Sequence, residues 1–171
     1  ADVNPGIANE FATAAYRFGH SLLNAEVGFI DDVGAEVRSP LGLRDSFFNV
    51  TVVGQTGIDP ILKYLASDRA QEVDARVIDD VRNFLFGAPG QGGFDLAALN
   101  IQRGRDHGIA DYNTVRVAYG LPRLKSFAEI TPDTSVQQAL RQAYGSVDTV
   151  DMWVGGLAEK RSEEHTSELQ S

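Results

Sequence analysis

The sequence predicts an all-α, mainly helical fold. Apolar residues recur at three- and four-residue steps, Gly and Pro punctuate the periodic segments, and no two-residue alternation is long enough to build a sheet. The 171 residues suffice for one domain around one core, and a chain 43% hydrophobic and 23% charged has an ordinary globular composition.

Ile7, Phe11, Ala14, Ala15, Phe18 and Leu22 step by three and four, which predicts an amphipathic helix over 7–24, opened by Pro5-Gly6. Residues 26–43 are looser, with Gly28, Gly34, Pro40 and Gly42, and 33–37 could form a short hairpin limb. Phe47, Phe48 and the valines of 50–53 predict a second helix, although β-branching lowers its propensity. Asp59-Pro60 fits an N-cap followed by a first-turn proline, opening a helix through Leu65. Val73, Val77, Val81 and Leu85, widened by Ile78 and Phe84, predict a longer helix over 68–86. The glycine-rich segment 87–93 is a loop. Phe94 and Leu99 bound a short apolar stretch, and 100–111 is polar and dense in charge. Short helices are expected over 112–119, stopped by Gly120 and Pro122, and over 134–144, stopped by Gly145. The last apolar segment, 150–157, surrounds Trp153 and ends on a glycine stop. No repeat or linker divides the chain, so 1–160 reads as one helical unit.

Cysteine is absent, which excludes disulfides and thiolate metal sites. The net charge of −9, with no basic patch to offset it, argues against a nucleic-acid partner. No apolar run approaches the ~20 residues of a membrane helix. The start, Ala1-Asp2-Val3-Asn4-Pro5, has neither an initiator methionine nor a leader pattern, so the chain is expected to be part of something longer. Residues 161–171, which contain His165, resemble the in-frame translation of a DNA-sequencing adapter and are set apart from the fold. Removing their one arginine and three glutamates leaves a net charge of −7.

Two segments could carry chemistry. His20 and Arg17 lie three residues apart on the first predicted helix, so both emerge from one face, flanked by Phe11, Phe18 and Leu22. An imidazole beside a guanidinium over an apolar floor suits a ligand with a central metal and anionic rim groups, as in haem. From spacing alone, a hydrogen-bonded helix histidine beside a surface arginine is the commoner explanation. The second segment is Leu99-Asn100-Ile101-Gln102-Arg103-Gly104-Arg105-Asp106-His107-Gly108. An asparagine oxygen there can accept the Nδ1 proton of a ligating imidazole and leave Nε2 for the metal. A charge-rich loop held by its own Arg–Asp pairs accounts for the same composition. Asp106-His107 as a catalytic dyad lacks a nucleophile beside it. The acidic pairs Asp31-Asp32 and Asp79-Asp80 lack the spacing of a calcium loop.

These signals combine because they match one family. Glu10-Phe11-Ala12-Thr13-Ala14-Ala15-Tyr16-Arg17-Phe18-Gly19-His20-Ser21-Leu22 resembles the proximal-histidine helix of the animal haem peroxidases, and 99–108 resembles that family's most recognisable signature. Gly120-Leu121-Pro122-Arg123 and Asp151-Met152-Trp153-Val154-Gly155-Gly156 match later landmarks in the same order, so the resemblance spans 1–160. It implies the helical haem-peroxidase fold, incomplete here, with His20 as the axial ligand of the iron and Asn100 as its hydrogen-bond acceptor. It makes Arg17 and Arg103 the propionate partners, places Leu96 and Leu99 on the proximal pocket wall, and gives His107 a structural role in ordering the loop of Arg105 and Asp106. The implied cofactor is haem b or a covalently linked derivative. The implied partners are hydrogen peroxide and a small reducing substrate or halide. Calcium, if the parent protein uses it, would sit outside this chain, and the resemblance implies secretion. The missing cysteines point to a prokaryotic branch.

In that family the distal histidine, its arginine, the calcium loop and the haem-esterifying carboxylates precede the proximal helix, and none is present here. Two other readings keep the scaffold: a fatty-acid oxygenase, for which no radical-forming role can be assigned among Tyr16, Tyr64, Tyr112, Tyr119 and Tyr144, and a non-enzymatic adhesion module. A ligand with its own orienting partner argues against the latter. With only the proximal half of the machinery, the 171-residue chain alone, supplied with haem, is expected to show no efficient oxidation of guaiacol by peroxide. Turnover at family-like rates in a steady-state assay would overturn that expectation.

Overall fold

The structure, a computed structural model, describes residues 5–88, 91 and 93–160; the expectations for 1–4, for 161–171 and for the loop residues Pro89, Gly90 and Gly92 lie outside the described residues. The chain forms two units, one of residues 19–99 and one that joins the residues up to 18 with those from 100 onward.

Asn9–Thr13 forms α1, Ala14 breaks it (φ −122°, ψ −63°), and Ala15–Leu22 continues as a 3-10 helix. The expected single helix over 7–24 is therefore two pieces, and its buried side is not the apolar stripe. Thr13, Ala14 and Ser21 are buried, whereas Ile7, Phe11 and Phe18 are exposed. The apolar floor expected beneath His20 is thus not formed by Phe11 and Phe18.

In the unit of residues 19–99, β1 (Glu26–Ile30) and β2 (Glu36–Gly42) pair antiparallel, with Phe29 opposite Arg38 and Val27 opposite Leu41. No sheet was expected, because bulges at Val27/Phe29 and Phe29/Ile30 break the side-chain alternation that would announce one. The segment read as a hairpin limb is instead mostly the turn: Asp31 Oδ1 accepts from the Val33 and Ala35 amides (3.0 and 2.9 Å), and Gly34 takes a φ of +81°. Leu43–Ser46 is α2, Val50–Thr56 is α3, and Asp59–Ser67 is α4 with Pro60 in its first turn; Asp59 is the first helical residue rather than the expected N-cap, which falls to Ile58 without a side-chain cap. Phe47 and Phe48 precede α3 rather than starting it. Helix α4 meets β1 where Gly28 lies under the Tyr64 ring; a Cβ on Gly28 would stand 2.3 Å from ring carbons.

The long helix expected over 68–86 is absent; only α5, Asp79–Arg82, forms. The polar groups at the start of this stretch are spent elsewhere. Asn24 Nδ2 donates to Asp68 Oδ2 (2.6 Å) and to the Arg69 carbonyl (2.8 Å), and the Gln71 amide donates to the Leu22 carbonyl (3.1 Å). At its end, Leu85 and Phe94 exchange backbone hydrogen bonds (3.3 and 3.0 Å), which requires extended chain. The valine periodicity could not outweigh these long-range bonds, given the modest helix propensity of valine.

Leu96–Asp106 is α6, started by Asp95, whose carboxylate accepts from the Ala98 amide (3.0 Å). The charge-dense stretch after Leu99 is thus mostly helix, not loop. There follow α7 (Tyr112–Ala118), α8 (Phe127–Ile130), α9 (Thr134–Tyr144) and α10 (Met152–Ala158). Asp111 caps α7 by accepting from the Thr114 amide, Asp133 caps α9 by accepting from Ser135 and Val136, and Gly145 ends α9 at a φ of +70°. Tyr112, Leu124, Phe127, Ile130, Leu140, Val147, Val150 and Ala158 make the core of this unit, with Val136, Tyr144 and Val154 against it.

Gly155 and Gly156 lie inside α10 rather than stopping it. A Cβ on Gly155 would stand 2.3 Å from Cγ of Tyr112, whereas one on Gly156 would meet nothing. Gly155→Ala is therefore expected to destabilise by about 1–3 kcal/mol through overpacking, while Gly156→Ala is neutral or stabilising by up to about 1 kcal/mol. Urea unfolding of the two variants side by side checks this; equal midpoints would refute the Tyr112 contact as the cause.

Candidate functional site

The 3-10 segment sets the spacing of Arg17 and His20. At three residues per turn, side chains three apart eclipse, and the Arg17 amide donates to the Ala14 carbonyl at 3.0 Å. Arg17 and His20, both within the 3-10 segment, are therefore one turn apart along it. Arg17 and His20 are half-buried. Arg17 Nε donates to the Thr13 carbonyl at 2.8 Å.

Helix α6 places Leu96, Leu99, Asn100 and Arg103 at the i, i+3, i+4, i+7 positions of one face. Asn100 is 2% exposed, Leu96 is half-buried, and Leu99 and Arg103 are exposed. A buried amide in a helix interior is costly unless hydrogen-bonded, so its presence marks a specific demand. Asn100 lines a cavity of about 10 Å³, room for one water, with Ala14, Ile101, Gly104, Asp151 and Trp153. Trp153 Nε1 also donates to the Arg17 carbonyl at 3.3 Å. Asn100 is thus brought against Ala14, one turn before Arg17.

The charges around α6 pair differently from expectation. Arg105 does not hold Asp106 in a local loop. Its Nε and Nη2 donate to Asp151 Oδ1 and Oδ2 at 3.0 and 2.7 Å, and Asp106 instead accepts from Gln102 at 2.7 Å. Tyr144 also donates to Asp151 Oδ2, at 3.0 Å. His107 is exposed, and its part is played by backbone: its carbonyl accepts from Asn9 Nδ2 at 3.1 Å. Burial, then the Asp151 charge, pushes the Tyr144 hydroxyl well above the usual tyrosine range. Burial and Glu159 do the same to Tyr112.

Two structural residues escaped the sequence reading. Asn113, fully buried, donates to the Leu124 carbonyl (2.9 Å) and Asp148 Oδ1 (2.6 Å) and accepts from the Leu124 amide (3.0 Å). The Asn113 amide, then Arg123, hold the Asp148 carboxyl below its ordinary range. Arg116, also buried, donates to the Pro122 carbonyl (3.1 Å), to Tyr112 Oη (3.0 Å) and to Glu159. Their partners lie up to 43 residues away, so no local pattern could have revealed them.

The animal haem peroxidase family profile matches residues 1–169. The chain belongs to the animal haem peroxidase family. It is 43% identical to peroxinectin A of Dictyostelium discoideum over 163 residues, covering 95% of this chain and 30% of that protein. It is 39% identical to thyroid peroxidase of Mus musculus over 166 residues, covering 92% of this chain and 18% of the relative. Among solved structures, peroxidase A from Dictyostelium discoideum superposes with a TM-score of 0.90 at 42% identity, over 95% of this chain and 31% of that one. A fatty acid alpha-dioxygenase of Oryza sativa shares the fold, with a TM-score of 0.78 at 22% identity over 92% of this chain and 28% of that one. The chain thus spans less than a third of the length of these haem-peroxidase relatives. Among the described residues, no helix is long and apolar enough to cross a membrane.

Raised values for Tyr112 and Tyr144 carry a pH signature. Both groups are held neutral in the folded state above the ordinary tyrosine value near 10. The stability they contribute is complete below about pH 10 and falls as pH rises from there toward their folded values. Alkaline titration by absorbance near 295 nm is expected to show Tyr112 and Tyr144 ionising last, after Tyr64, whose hydroxyl Asp68 also holds above its ordinary range, with Tyr112→Phe and Tyr144→Phe each removing one late step. Ionisation of all five tyrosines together, without unfolding, would contradict the burial of these hydroxyls.

Proposed function

We propose that the protein carrying this chain is a haem-dependent peroxidase, reducing hydrogen peroxide while oxidising a donor, and that this chain supplies the proximal side of the haem site. The observation that carries the reading is the buried Asn100 amide on α6, packed against the helix turn that precedes Arg17 and His20. The donor set fits haem: the half-buried His20 offers a nitrogen for the iron, and the half-buried Arg17 three residues before it offers a cation for a propionate.

Haem, when bound, supplies an iron that exchanges electrons with peroxide. His20 would hold the iron through Nε2. Asn100 would accept the Nδ1 proton, fixing the imidazole tautomer and raising the donor strength of Nε2. Arg17 and Arg103 would pair the propionates, whose charge a half-buried or exposed guanidinium neutralises well. Leu96 and Leu99 would wall the proximal pocket and keep water from the ligand. Proton movement at peroxide is assigned to distal groups outside residues 1–160, together with any calcium ion and any covalent haem link. The names of two similar proteins, thyroid peroxidase of Mus musculus and peroxidase A from Dictyostelium discoideum, favour peroxidase over the fatty-acid oxygenase. Export from the cell belongs to the same reading, on family resemblance alone. A prokaryotic source is carried only by the missing cysteines, and the relatives named above give it no support.

In the full-length protein, His20→Ala is expected to abolish the haem Soret band and turnover together. Arg103→Ala is expected to weaken haem binding by about 1.5–3 kcal/mol, the worth of one charge-assisted hydrogen bond. Haem titration followed by absorbance measures both. An unchanged spectrum in His20→Ala would remove the axial assignment.

A further inference from the structure

We propose that Asp151 is a positioning residue for Asn100: held by Arg105 and Tyr144, its carboxylate sets the roll of α6 about its axis and hence the direction in which Asn100 presents its amide. The inference rests on the reading of Asn100 as the acceptor for the axial imidazole and names the device that aims it.

The geometry favours orientation over stability. Arg105 follows Asn100 by five residues, about 7.5 Å along α6 and about 140° around it. A clamp there acts on the helix at a lever arm, one and a half turns from Asn100. The clamp is two-pronged, with Nε and Nη2 on separate oxygens of Asp151, which restricts rotation as a single contact would not. Asp151 is itself fixed. Tyr144 of α9 donates to its Oδ2, and its carbonyl accepts from the Gly155 amide in the first turn of α10 at 2.9 Å. The neighbouring Val150 carbonyl accepts from the Tyr112 amide at 2.8 Å, tying the approach to α10 onto α7. The Arg105 side chain is 57% exposed, so solvent screens the pair and its contribution to folding is small. A strongly directional contact with little stabilising value is better explained by aim than by strength.

The same turn also reaches the other helix. Trp153, two residues after Asp151, donates its indole N–H to the Arg17 carbonyl, and both Asp151 and Trp153 line the cavity with Asn100. One turn at the start of α10 therefore carries the clamp for Asn100 and the contact that holds Arg17.

The test uses the full-length, haem-loaded protein with Asp151→Asn, Arg105→Lys, Tyr144→Phe and Asn100→Ala. The readouts are the iron–histidine stretching frequency of the ferrous form, the reduction potential and the thermal midpoint. Asn100→Ala is expected to lower the frequency and raise the potential, because the imidazole loses its acceptor. Asp151→Asn and Arg105→Lys are expected to shift both in the same direction by a smaller amount while haem stays bound. Tyr144→Phe should fall between these and wild type. If Asp151→Asn fails to fold, Arg105→Lys alone carries the test. A lowered thermal midpoint with unchanged frequency and potential would show a merely structural pair and overturn the proposal, leaving the Asn100 assignment intact. If Asn100→Ala itself moves neither observable, the reading of Asn100 fails and the proposal falls with it.

Discussion

The unit that contains α7 and α10 is organised by one contact, the Tyr112 ring lying on Gly155. With no side chain on Gly155, α10 approaches closely enough that the Tyr112 hydroxyl reaches Glu159 at its far end. Arg116, one turn along α7, then joins both groups and the Pro122 carbonyl. Asn113, adjacent to the ring, binds Leu124 and Asp148. A buried guanidinium, amide and phenol are each expensive to desolvate; the ring's seat on Gly155 lets the phenol and the guanidinium share Glu159, and the amide is satisfied by Leu124 and Asp148. The other unit repeats the device with different residues, Tyr64 over Gly28.

Much of the helical order was legible because caps and stops act locally. Pro60, the segment 134–144 with Gly145, and 112–119 with Gly120 and Pro122 announce their helices locally, and each forms, although Asp59 enters its helix rather than capping it. The failures share a cause. The valine repeat over 68–86 reports burial, not backbone geometry, and the bonds that fix this stretch come from Leu22, Asn24 and Phe94. The bulged hairpin hides its period-two signal. The apolar stripe of Phe11 and Phe18 marked helical chain, which forms as a short α-helix and a 3-10 helix rather than one helix, and misassigned its buried side, which small residues occupy.

The candidate site was legible in residue type and not in mechanism of support. His20, Arg17, Asn100 and Arg103 could be singled out from chemistry and from the family motif. That 96, 99, 100 and 103 share a helical face was available from spacing, yet the density of charge suggested a loop. The anchoring of this region by Asp151 was not available at all, since Arg105 finds its carboxylate 46 residues later rather than next door. Of the motif's charged residues, the one nearest in sequence was the wrong partner.

The 3-10 pitch of Ala15–Leu22 acts as a gear setting. At three residues per turn Arg17 and His20 mesh in one line, whereas in an ordinary α-helix the same two residues would sit about 60° out of phase. Relaxation of this short segment to the commoner helix would rotate one basic group away from the other without breaking a covalent bond or changing a residue. The angular relation between imidazole and guanidinium is therefore written in backbone winding, and a substitution that never touches either side chain can still throw them out of alignment.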